Sequence, residues 1–106
     1  MLNRITIQGR LCAAPELRHT QNGKAVANFT LAVDRDIDRD QTDFIDCVCW
    51  NGTAEFVSKY FRKGSMCVVS GRLQMRKYEA KDGTNRTAYE IVADNVYFGE
   101  SKRDGA

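Results

Sequence analysis

One proline, one histidine and one tryptophan occur in 106 residues. The lone histidine, His19, stands beside an Asn22-Gly23 turn signal, with no nucleophile or orienting acid at a useful spacing. No nucleophile elbow and no Gly-rich phosphate loop occur, so the usual constellations of catalysis are missing and a non-enzymatic protein is expected. No apolar run approaches membrane-spanning length, and the opening MLNRITIQ has no signal-type apolar core. The expected location is the cytoplasm. The four cysteines (Cys12, Cys47, Cys49 and Cys67) include a C-x-C pair, but no CxxC or nearby histidine completes a metal site. They read as small buried hydrophobes, without metal, cofactor or disulfide.

The apolar fraction of 42% and charged fraction of 28% are those of a soluble globule, and the length suits one domain with its own core. The net charge of +2 says little until its distribution is read. Between Arg62 and Arg86 seven Lys/Arg face two acids, whereas between Asp34 and Asp46 six Asp face two Arg. Such polarity suits a polyanion on one region only.

Leu2 to Leu11 alternates apolar and polar residues until Pro15 breaks the pattern. Ala25 to Val33 is a second strand with Ala27, Phe29, Leu31 and Val33 on one face. Asp34 to Asp43 is acidic and aperiodic, a mobile loop. Phe44 to Trp50 is the third strand. Phe56, Val57, Tyr60 and Phe61 then fall at helical spacing, with Asn51 or Thr53 placed to cap the start and Gly64 to serve the exit. Ser65 to Tyr78 and Arg86 to Phe98 complete the strands, joined by a turn on Asp82-Gly83. Three strands, one helix and two strands follow the order of the five-stranded antiparallel OB-fold barrel, with a long hairpin arm between strands four and five. An open α+β sheet shares the same order of elements. Gly71 in mid-strand favours closure, because barrels turn corners at kinks and bulges. Residues 1–99 form the domain, and 100–106 read as a short disordered tail.

Period two places Arg72, Gln74, Arg76 and Tyr78 on one face of the arm, with Leu73 and Met75 behind them. On the third strand it places Phe44, Asp46, Val48 and Trp50 outward, and Ile45, Cys47 and Cys49 inward. Cations that track phosphates, interleaved with rings that stack on bases, are what a single-stranded nucleic acid requires. A solvated hairpin face, or rings covered by the helix or a second subunit, would use the same residues.

The segments NRITIQGRL, PELRHTQNGKAVANFTLAV, TDFIDCVCWN, YFRKGSMCVVSGRL and RKYEAKDGTNRTAYEIVADNV occur in this order and spacing. In them the chain resembles the bacterial single-stranded DNA-binding proteins along nearly its whole length. The resemblance implies an OB-fold homotetramer that binds and protects single-stranded DNA in replication, recombination and repair, without strong sequence preference and without a cofactor. It implies stacking by Phe44, Trp50 and Tyr78, and basic contacts from Arg4, Arg18, Lys63, Arg76 and Lys77. Tyr60 occupies an aromatic position near the strand, and Arg72 joins the set from its place on the arm.

The chain departs from the family pattern at three places. Ile37 stands where a stacking tryptophan often sits, and Asp46 where a basic residue is common. The sequence also ends at Ser101-Lys102-Arg103-Asp104-Gly105-Ala106, without the acidic, aromatic-ended tip through which relatives recruit replication proteins. That recruitment is therefore not carried over. A primosome-like protein–protein adaptor and an RNA-binding module are the alternative functions on the same fold.

Overall fold

The computed structural model describes residues 1–99; the expected tail, 100–106, lies outside the described residues. In chain order the elements are β1 (Ile5–Leu11), β2 (Glu16–His19), β3 (Ala25–Asp34), β4 (Thr42–Trp50), α1 (Asn51–Tyr60), β5 (Met66–Glu79) and β6 (Asn85–Phe98). Five of the strands close on themselves: β1 pairs β5, β5 pairs β6, β6 pairs β4, β4 pairs β3, and β3 returns to β1 at Arg10 and Leu11. This is the OB-type ring expected from the element order, with two differences. The closing β4–β6 contact is parallel and only two residues long, Cys47 against Ile91 and Val48 against Val92. The stretch after Pro15 forms a sixth strand, β2, on the edge of β3 that β1 vacates. All four β2 residues are exposed, so no buried face imposed a readable alternation on them.

The barrel interior is filled by alternate residues of each strand. Ala27, Phe29 and Leu31 of β3 meet Cys47 and Cys49 of β4, Cys67 and Val69 of β5, and Ile91 of β6. All three barrel cysteines are buried free thiols, and burial pushes Cys49 up to about 12 and Cys67 up to about 11. The helix lays Ala54 and Val57 against this core, and Phe61 just beyond it completes the seal.

Neither Asn51 nor Thr53 caps the helix: its N-cap is Trp50, in extended conformation and with no side-chain cap bond. The strand runs directly into the helix. Asn51, at φ 56°, makes the turn in the left-handed region that Asn tolerates, so its side chain sits one place too late to cap. At the other end the helix stops at Tyr60, and the positive-φ Gly64 serves the following turn, where its N–H donates to Leu11 O at 2.8 Å.

The β5–β6 register shifts between Ser70 and Gly71, and the unmatched residue of β6 is Asp94, between Asn95 (opposite Ser70) and Ala93 (opposite Gly71). A side chain on Gly71 would strike the Val92 carbonyl, so glycine is required where the barrel bends. Beyond this bulge β5 and β6 leave the barrel as the arm. Its turn places Gly83 at φ 85°, while Asp82 Oδ1 accepts from the N–H and hydroxyl of Thr84. Those two bonds hold the Asp82 carboxyl below the ordinary carboxylate range. Leu73 and Met75, expected behind the cations, are exposed in the single chain together with Tyr89. An arm of two strands has no third layer to cover them.

Candidate nucleic-acid interface

Where β3, β4, β5 and β6 present their outer faces, the even-numbered residues converge. Val26, Val48 and Val92 form a small apolar cluster of their own outside the barrel interior. Val48 thus faces outward, as alternation requires, yet is buried by its neighbours. This cluster floors a hollow of about 450 Å³. Trp50, cross-strand partner of Val26, stands at its rim and is 42% exposed. Arg18 of β2 walls it on one side, its Nη2 donating to Asn28 Oδ1 at 2.9 Å. Arg72, Gln74 and Arg76 of the arm wall it on the other, with Glu90 beneath. An apolar floor, one indole and three guanidiniums can accept an unpaired base and the phosphates beside it.

The arm continues the surface. Arg76 lies 5.5 Å from the centroid of the Tyr78 ring, and a second hollow of about 530 Å³ is lined by Lys77, Tyr78 and Arg86. Lys77 has the opposite parity to Arg76, but both sides of the arm are exposed, so parity does not remove it. Phe44, 69% exposed, shares the outward parity of Trp50 but stands six residues away, about 20 Å along an extended strand. Arg4 reaches the same side from the N-terminus of β1, through Ser70 Oγ at 3.1 Å and Asp94 Oδ2 at 3.0 Å. Arg72 approaches the other oxygen of Asp94 at 3.9 Å.

Two of the expected residues stand apart from the groove. Tyr60 packs in an aromatic cluster, 5.3 Å from Phe56 and 6.3 Å from Phe98 between ring centroids, with half its surface exposed. Lys63 is exposed in the turn after the helix and lines neither hollow.

Sequence reasoning missed Glu90 and Asp94. The signal was available in β6, where Glu90 and Val92 share the outward parity, but the bulge that aims Asp94 is a property of pairing. The acidic surface is real as well. Asp46 takes its hydrogen bond from a hydroxyl, Thr30 Oγ1 at 2.9 Å, rather than from an arginine. The loop after β3 is tied at its base by Arg35 and Asp43, whose two bonds of 2.9 and 3.1 Å hold the Asp43 carboxyl below its ordinary range. A larger hollow of about 740 Å³ lies under this loop, but Asp34, Asp36, Asp38 and Asp43 line it and would repel a polyanion. Size alone therefore does not mark a surface suited to a polyanion; the two smaller hollows are the ones that carry cations and rings together.

Against known proteins, residues 2–99 match the model of the Single-strand binding protein family. The chain is 49% identical to Single-stranded DNA-binding protein 3 of Listeria innocua, an alignment covering 100% of this chain and 69% of that one. It is 48% identical to the Single-stranded DNA-binding protein of Oceanobacillus iheyensis (96% and 66% covered) and 47% identical to Single-stranded DNA-binding protein A of Bacillus subtilis (99% and 63% covered). It thus spans about two thirds of the length of these relatives. With the family model covering nearly all of the chain, and the closed ring of strands in agreement, the chain belongs to the single-strand binding protein family.

Proposed function

We propose that this chain binds single-stranded DNA with little sequence preference and shields strands exposed during replication, recombination and repair. The observation that carries the reading is the groove in which Trp50 overhangs an apolar floor between Arg18, Arg72 and Arg76. Bases would stack on Trp50, Phe44 and Tyr78, while Arg4, Arg18, Arg72, Arg76 and Lys77 meet phosphates. Tyr60 and Lys63 would be reached only by a strand that continues around the helix. Stacking tolerates any base because every base has a π-face, and duplex DNA is excluded because its faces are already stacked.

The apolar side of the arm (Leu73, Met75 and Tyr89) and the half-exposed Tyr97 and Phe98 supply surface for self-association, and the assembly proposed is a homotetramer. No helix among the described residues is long and apolar enough to cross a membrane, and the site of action proposed is the cytoplasm, at the nucleoid. Binding of a dye-labelled thymidine oligomer, challenged with unlabelled single strands or duplex, tests the reading. Displacement by single strands alone supports it, and equal displacement by duplex refutes it. Sedimentation equilibrium tests the tetramer, which a monomer at micromolar concentration would contradict.

A further inference from the structure

Three cations of this surface, Arg4, Arg72 and Arg76, are not free. Asp94 bridges Arg4 and Arg72, and Glu90 lies 3.6 Å from the Arg76 Nε. The three guanidiniums are about half exposed, within reach of a strand, but each already has a carboxylate partner. The Glu90 side chain is only 15% exposed, so its pair is less screened by salt than a surface pair. Asp94 owes its position to the β-bulge, which inserts it as an unmatched residue between Ala93 and Asn95. Lys77, by contrast, has no carboxylate partner among the described residues.

We propose that Asp94 and Glu90 limit affinity: they occupy Arg4, Arg72 and Arg76 in the unbound protein, and a DNA phosphate must displace them. The proposal rests on the single-stranded DNA reading above. Each carboxylate is a tethered competitor for the guanidinium forks that would otherwise take a phosphate in bidentate geometry. The bound and unbound proteins exchange one anion for another at these arginines. Fewer counterions are therefore released than the number of arginines suggests, and binding is weaker and less salt-sensitive than with unoccupied cations. The carboxylates act through the arginines and need not touch DNA.

The test is the affinity for a thymidine oligomer over a salt series, in Asp94→Asn, Glu90→Gln and their double variant. Breaking an exposed ion pair costs up to about fivefold in an equilibrium constant, so each variant should bind several-fold more tightly at low salt. The slope of log K against log salt should steepen by about 0.7 for each cation released to a phosphate. Two controls separate this from other causes. Asp36→Asn removes one charge from the acidic loop, away from these pairs, and should change affinity and slope less than Asp94→Asn. In an Arg4→Gln/Arg72→Gln background the gain from Asp94→Asn should vanish. Unchanged or weakened binding in both single variants overturns the proposal, because the carboxylates would then merely hold the arginines in place. An equal gain from Asp36→Asn, or a gain that survives loss of the arginines, also overturns it. Failure of the unsubstituted protein to prefer single strands over duplex overturns the underlying reading first, and the proposal with it.

Discussion

Replacing Trp50 by alanine removes the ring at the rim of the groove without touching a charge. A stacked base contributes about 1–3 kcal/mol, so affinity for a thymidine oligomer should fall by about 5- to 150-fold. The ring is 42% exposed, hence more than half covered by the groove floor and its own strand. A buried aromatic side chain keeps about 150–250 Å² from water, roughly 90–145 Å² at this coverage, which corresponds to about 2–4 kcal/mol of folding stability as an upper limit. Loss of stability alone could imitate loss of binding. Trp50→Phe separates the two, since it retains a stacking face and most of the packing and should recover most of the affinity. Fluorescence anisotropy of a labelled oligomer across a salt series is the assay. The salt slope should stay at its original value in both variants, because no phosphate contact is lost. An unchanged affinity for Trp50→Ala, or a loss accompanied by a flattened slope, would refute the stacking role.

Arg76→Ala should weaken binding in the same assay and flatten the slope, but by less than the about 0.7 of an unpaired cation, because Glu90 already occupies this arginine. Gly71→Ala should destabilise the barrel by about 1–3 kcal/mol or more in urea unfolding, because the added carbon meets the Val92 carbonyl and not a movable side chain. The buried thiols couple folding to alkaline pH. Cys49 and Cys67 rise from an ordinary 9.0 to about 12 and about 11, so they stay neutral in the folded chain where the unfolded chain ionises. Their contribution to stability is therefore complete below pH 9 and lost as pH climbs through 11 to 12, visible in urea midpoints measured from pH 8 upward. At pH 8 a thiol reagent should label the partly exposed Cys12 in the native protein, and all four cysteines only after unfolding.

The barrel was legible wherever one face of a strand is buried. Alternation alone placed Phe29, Leu31, Cys47 and Cys49 inside and Phe44 and Trp50 outside. It failed for β2, which is exposed on both faces, and for the helix start, where no loop separates Trp50 from Asn51. The groove was half legible. Its rings and cations lie on one parity of β4 and β5, so the sequence alone aligned Trp50 with Val48 and Arg72 with Arg76. What aligned them with each other is the ring closure that sets Val26, Val48 and Val92 side by side, and no local pattern encodes that. The ion pairs of Asp94 and Glu90 were illegible for the same reason. Their partners stand on other strands, and one is reached only through a bulge. Tyr60, a ring at helical spacing, and Lys63, which only the resemblance suggests, both stand apart from the groove in the folded chain.

Titration of the native protein with a thymidine oligomer, following the emission of its only tryptophan, is the sharpest test of base stacking in the groove. Trp50 is both the reporter and the residue proposed to stack. Quenching should be saturable, weaken as salt rises and be absent with duplex DNA. Emission unmoved by the oligomer, or quenched equally by duplex, would contradict this stacking.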